Sequence, residues 1–161
     1  MKNPQLNKEP IVNAGMLIRK PVTEVFEAFI NPAITTKFWF TKSTGRLEAG
    51  KRVTWEWEMY NVSTRVDVKK IEKNKRILIE WGSPGEVTTV EWIFTPYNND
   101  ATFVSITNFG FHGDGDSIVA QALDSTGGFT TVLDGAKAWL EHNVNLNLIM
   151  DKFPKGLTEH K

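Results

Sequence analysis

Three histidines, His112, His142 and His160, are the first side chains to test for chemistry, and no two of them fall at metal-ligand spacing. None has a legible catalytic partner. Asp114 and Asp116 in "FHGDGDS" suggest a cation loop, because hard cations gather clustered carboxylates. The stretch lacks the third oxygen donor and distal Glu of a calcium loop, and Gly-Asp-Gly-Asp reads better as a solvated turn. Glu56 and Glu58 lie two apart and would point the same way on a strand, as a pair working in acid-base chemistry must. They alternate with Trp55 and Trp57, so if the indoles face a core the carboxylates face water. Ser63, Ser105, Ser117 and Ser125 stand outside any nucleophile-elbow context, and Gly127-Gly128 lacks the Lys and hydroxyl of a phosphate loop. The expectation is no catalytic residue, no metal and no cofactor.

What remains is aromatic surplus: six Trp and ten Phe in 161 residues. Taken singly, Trp55, Trp57, Trp81, Trp92, Phe94, Phe129 and Trp139 read as core filling. Taken together, they are the wall material of an apolar pocket with few polar groups. Trp39, Val66 and Ile79 join the expected ligand-binding set, with Val132, Leu133 and Ala136 on a late helix. Gly135 and Ala136 are small enough to border an open volume there. Thr64, Asn108 and Arg65 are the candidate polar anchors, Arg65 alternating onto the outer side.

The elements that would position these residues follow from periodicity. "IVNAGMLI" is strand-like, and Pro21 then opens a helix with Val22, Val25, Phe26, Phe29 and Ile30 on one face until Asn31-Pro32. A second short helix is expected from about Ala33 to Phe40. From Thr44 to Phe109 the period falls to two, with Asn, Gly and Asp at the boundaries, which argues antiparallel hairpins. Val53, Trp55, Trp57 and Met59 should share one face, as should Val62, Thr64, Val66 and Val68, then Ile77, Ile79 and Trp81, then Val90, Trp92 and Phe94. The strand "ATFVSITNF" is apolar on both faces and does not orient itself. After a short apolar turn and the Gly127-Gly128 break, a last helix should run to about Met150, with Phe129, Val132, Leu133, Ala136, Trp139 and Leu140 at helical spacing. The class is α+β, a curved antiparallel sheet around a long C-terminal helix. One domain is expected over 11–153, between a flexible leader, 1–10, and a flexible tail, 154–161.

Charge excludes other partners. Lys plus Arg equal Asp plus Glu at 19 each, so no net field attracts nucleic acid or an anionic membrane. The leader has no apolar core of a signal peptide, no run reaches membrane-spanning length and there is no cysteine, all suited to the cytoplasm.

"PVTEVFEAFINP", "RLEAGKRVTWEW", "VKKIEKNKRILIEW", "VEWIFTPYNNDATFVSITNFGF" and "GGFTTVLDGAKAWLE", in that order, resemble the Hsp90-ATPase-activator-like (AHSA1-type) branch of the START-related SRPBCC, or helix-grip, superfamily. Phe129 stands where that family usually has Trp, and Lys73-Asn74-Lys75 lacks its usual turn proline. The resemblance implies the helix-grip (START/Bet v 1-like) fold, with a seven-stranded sheet, two short helices after the first strand and a cavity beneath the C-terminal helix. It implies far less about activity, since superfamily members bind lipids, sterols, hormones or polyketides and a minority catalyse; together with the aromatic set it makes binding of a small apolar molecule the leading reading. Docking on an Hsp90-type chaperone, with a part in stress response, is the first rival. The short polar leader, in place of an additional N-terminal domain, argues against strong ATPase stimulation. A cyclase or aromatase activity is the second rival and would need an ionisable group inside the cavity.

Overall fold

Asn74 (φ 62°) and Asn98 (φ 56°) turn the chain in the left-handed region that Asn tolerates. The strands on either side of each pair antiparallel. The computed structural model describes residues 6–157 and contains a seven-stranded sheet. Its strands are β1 (Val12–Ile18), β2 (Lys42–Ser43), β3 (Arg52–Trp57), β4 (Val62–Glu72), β5 (Arg76–Trp81), β6 (Thr88–Tyr97) and β7 (Ala101–Phe109). They lie in the order β1-β7-β6-β5-β4-β3-β2, each pair antiparallel. A register shift between Val68 and Lys70 interrupts the long β4, a device that bends a strand.

Two short helices follow β1: α1 (Val22–Ile30) and α2 (Pro32–Thr35). Pro21 leads into α1, which buries Val25, Phe26 and Phe29, with the Phe26 ring 5.2 Å from Phe94 edge-on. Asn31 caps α2 by accepting the Ala33 amide at 3.0 Å. Only one turn of that helix forms, so Trp39 and Phe40 come from the turns after it rather than from its end.

The alternating face holds through most of the sheet, where Val53, Trp55, Val66, Val68, Ile77, Ile79, Val90, Trp92 and Phe94 are buried. It fails at one edge. β3 stops at Trp57, the chain enters a 3-10 turn at Glu58–Tyr60, and Asn61 at φ 53° redirects it into β4. Met59 therefore leaves the strand, Val62 stays opposite Trp57 but is exposed at the end of β4, and Glu58 does not share a strand with Glu56. In β7, Val104 and Ile106 turn inward together with Asn108, which orients the strand that the pattern left open. Phe103 turns outward and lies over Gly15, where a Cβ would meet the ring at 2.6 Å. Any larger residue there would have to push that exposed ring aside.

The final helix departs most from the sequence reading. α3 (Gly115–His142) is one 28-residue helix that passes straight through Gly127-Gly128 and ends at Asn143, φ 60°, with a separate short α4 (Leu148–Lys152) beyond. Glycine inside a helix costs about 1 kcal/mol relative to Ala, and burial on either side outweighs it. Ile118 and Ala122 are buried before the glycines, and Phe129, Val132, Leu133 and Ala136 after them. Asp114 caps the helix start, accepting the Ser117 amide at 2.9 Å.

Two apolar clusters result. The larger joins α1, the inner sheet face and the second half of α3 around Trp39, whose ring lies 4.8 Å from Trp55, 5.8 Å from Phe129 and 6.2 Å from Trp92. The smaller consists of Val12, Phe111, Ile118 and Ala122, under the first half of α3.

Candidate functional site

Residues of both clusters border a cavity of about 390 Å³. The turn before β2 supplies Trp39, β3 supplies Trp57 and β5 supplies Trp81. The middle of α3 adds Gly128, Phe129 and Val132, Phe111 closes one end, and Ile149 and Phe153 lie across another side. The Trp81 and Phe129 rings are 5.7 Å apart, so much of the wall is aromatic. A wider groove, lined by Met59, Asn61 and Val62 among others, shares Trp57, Tyr60, Asp124 and Phe153 with the cavity and adjoins it.

Three polar side chains meet where β6, β7 and α3 converge on the wall: Thr88, Asn108 and Ser125. Asn108 is 2% exposed, and its amide nitrogen donates to Thr89 O at 2.8 Å and to Thr88 Oγ1 at 3.0 Å. Its Oδ1 accepts the Ser125 hydroxyl at 2.7 Å. The network continues into the loop ahead of α3. His112 Nε2 donates to Val87 O at 2.7 Å, and Gln121 Nε2 donates to His112 O at 2.7 Å and Ser117 Oγ at 3.0 Å. This ties the start of β6 to α3. At the mouth, the Tyr60 hydroxyl donates to Phe153 O at 2.6 Å and lies 3.3 Å from Ile149 O, pinning α4 over the opening.

Ionisable groups with displaced affinities lie elsewhere. The Arg46 hydrogen bond holds the Glu27 carboxyl below its ordinary range, and the Arg52 hydrogen bond does the same for Asp67. At Glu141 burial pulls upward, but the Lys137 ammonium, the Arg19 amide and charge together outweigh it and hold the carboxyl low. None of the three borders the cavity. Of the ionisable residues that do, Asp124 and Lys152 are exposed and the Tyr60 hydroxyl is bonded to Phe153 O, and no group of three or more His, Cys, Asp or Glu among the described residues could hold a metal.

Of the residues expected from sequence to bind ligand, Trp39, Trp57, Trp81, Phe129 and Val132 are brought together on the wall. Trp55, Val66, Ile79, Trp92, Phe94, Leu133 and Ala136 are instead buried in the solid core. Trp139 is partly exposed, with the Lys37 ammonium 5.6 Å from its ring centre. The expected opening near Ala136 is thus displaced along the helix. At Gly135 a Cβ would stand 3.1 Å from Phe38 Cβ, so the small residues there serve close packing. Of the polar anchors, Asn108 reaches the cavity, Thr64 does not border it, and Arg65 lies 3.8 Å from Asp67 as an ion pair. His160 lies outside the described residues. Thr88 was missed although it begins the same inward alternation as Val90, Trp92 and Phe94. Tyr60, Phe111, Ile149 and Phe153 lie in turns and a short helix that periodicity does not address.

A family model described as Activator of Hsp90 ATPase homolog 1-like protein matches residues 19–141, from the end of β1 nearly to the end of α3. The chain belongs to this family. The resemblance read from the five sequence blocks therefore holds, and the sheet and long helix are the helix-grip fold. SSP2350 from Staphylococcus saprophyticus superposes with a TM-score of 0.74 at 29% identity, over 85% of this chain and 96% of that one. The Aha1 dimer from Colwellia psychrerythraea gives 0.69 at 16% identity, over 83% and 97%. DynU16, a protein of the dynemicin biosynthetic locus, gives 0.74 at 18% identity, over 84% of this chain but only 48% of DynU16. At such low identities the last two speak to fold alone. No curated protein matches the chain.

Proposed function

We propose that this family member binds a small, largely apolar molecule in the cavity between α3 and the sheet, without covalent chemistry, and that it acts in the cytoplasm. The supporting observation is the cavity itself: about 390 Å³, within the usual range of roughly 300–1,000 Å³ for ligand sites, walled by aromatic rings around one neutral polar cluster. A cyclase or aromatase reading lacks support, because Asp124 and Lys152 are exposed and, among the described residues, no other ionisable carboxyl, ammonium or imidazole borders the cavity. Docking on an Hsp90-type chaperone accords with the family description and needs no cavity. Among the described residues no helix is long and apolar enough to cross a membrane.

Native mass spectrometry of freshly purified protein, paired with titration of an environment-sensitive apolar dye, tests the reading. A retained organic mass, or saturable dye binding that an added ligand displaces, is the expected result. Protein that carries nothing, binds no dye and is captured by an Hsp90-type chaperone would transfer the weight to the docking reading.

A further inference from the structure

The three polar side chains on the cavity wall form a directed chain of hydrogen bonds, and its direction limits what a ligand can present. Thr89 O can only accept, so the Asn108 amide nitrogen must face it, at 2.8 Å. The other amide proton then goes to Thr88 Oγ1 and Asn108 Oδ1 faces Ser125, whose hydroxyl must donate. Both amide protons of Asn108 and the Ser125 hydroxyl proton are committed within the protein. Thr88 Oγ1 accepts from Asn108, and among the described residues nothing accepts its own proton. Thr88 is 9% exposed and borders the cavity. A buried hydroxyl proton without a protein acceptor is costly, so this one calls for an acceptor supplied from the cavity.

Resting on the ligand-binding reading above, we infer that Thr88 is the specificity-determining donor of this site, selecting apolar molecules that carry an uncharged oxygen, a carbonyl or a hydroxyl. The acceptor must be neutral because the cluster it meets is neutral. Among the described residues no Lys or Arg joins Thr88, Asn108 and Ser125 in hydrogen bonding, and the cationic Lys152 is exposed. A carboxylate there would lose hydration with no cation bonded to the cluster, and would face the oxygens of Asn108 and Ser125. A hydrocarbon would leave the Thr88 proton unmatched.

Ligand-observed NMR at pH 7 with four bicyclic probes of similar shape tests this: 2-methylnaphthalene, 2-acetonaphthone, 2-naphthol and 2-naphthoate. The acetyl and hydroxyl probes should bind about 5- to 10-fold more tightly than the hydrocarbon, as one net hydrogen bond implies, and the carboxylate most weakly. Thr88→Val should bring the two oxygen probes down to the hydrocarbon's affinity while leaving the hydrocarbon within about twofold. Thr88→Ser, which restores a hydroxyl, should restore the preference, and Thr88→Ala, which also lacks the hydroxyl and should lose the preference, carries the test if the valine variant does not fold. Equal binding of the four probes, tightest binding of the carboxylate, or a preference that survives in Thr88→Val would overturn the assignment while leaving the ligand site standing. Failure of all four to bind would remove the ligand reading and this inference with it.

Discussion

Gly128 and Ala136 lie two turns apart on α3 and face different surroundings. Ala136 is fully buried in the core, whereas a Cβ built at Gly128 finds nothing within 4 Å and the residue borders the cavity. Ala136→Trp must therefore overpack, and it is expected to lower unfolding free energy by at least about 1 to 3 kcal/mol. Gly128→Leu should project into the cavity and replace a poor helix former, so stability should hold or rise by up to about 1 kcal/mol while an apolar dye loses its site. Urea unfolding and dye titration on both variants check the contrast, and a destabilised Gly128→Leu protein would mean that the opening is not where the backbone places it. Sequence made the aromatic residues legible as a class but not their division between wall and filling. Trp55 and Trp57 share a strand face, yet the first is buried in the core beneath the stacked Phe40 ring and the second borders the cavity. Which one reaches open space depends on the Trp39 and Phe40 rings that cover Trp55 from the turns after α2, and a period-two pattern carries no such information.

At the scale of elements, α3 is weakest where it meets the cavity. "STGGFTT", from Ser125 to Thr131, is poor in helix formers, and Thr126, Thr130 and Thr131 each turn their hydroxyl back to the carbonyl four residues earlier, at 2.7 to 2.9 Å. That composition explains why sequence placed a break at Gly127-Gly128. Propensity is a weak prior, and the buried residues flanking the segment on both sides override it. The first helix was legible because its apolar positions fit one period and Pro21 and Asn31 bracket it. α4 was not, because the apolar residues Leu146, Leu148, Ile149 and Met150 invite a continued helix, although Asn143 and Asn147 take the left-handed conformation that Asn tolerates. The Tyr60 hydroxyl attaches that short helix to the turn after β3. Tyr60→Phe keeps the ring and deletes the bond, so amide exchange over Leu148–Lys152 should quicken severalfold, with a global loss of only about 1 kcal/mol. Unchanged exchange there would show that packing of Ile149 and Phe153 suffices to hold α4.

For the whole molecule, the cavity depends on α3 being anchored at both ends while its middle spans open volume. The first end is held by Asp114 and by the Gln121 and His112 bonds to the loop before the helix and to the residue before β6. At the other end, Lys137 donates to Leu17 O at 2.8 Å and to Glu141 Oε2 at 2.6 Å, and the same carboxylate oxygen accepts the Arg19 amide at 2.7 Å. This fastens the helix to the end of β1. Glu141 is 10% exposed, and the exposed His142 ring, 3.7 Å away, adds attraction only when protonated. Because the folded carboxyl titrates below the ordinary 4.5, its contribution is complete above that pH and disappears as pH falls through the depressed folded value. Glu141→Gln should therefore cost about 1 to 2 kcal/mol at pH 7, the lower part of the range for a charge-assisted hydrogen bond, since these bonds are only partly buried. Below about pH 4.5 the wild type should converge towards the variant. Glu27 and Asp67, also held low by arginines, remain in both proteins, so the variant keeps some acid sensitivity and the informative quantity is the difference between the two curves. Urea midpoints from pH 3 to 7 measure it. A gap that stays constant down to pH 3 would mean that Glu141 secures the helix by packing rather than by charge, and α3 would then be anchored at this end independently of pH.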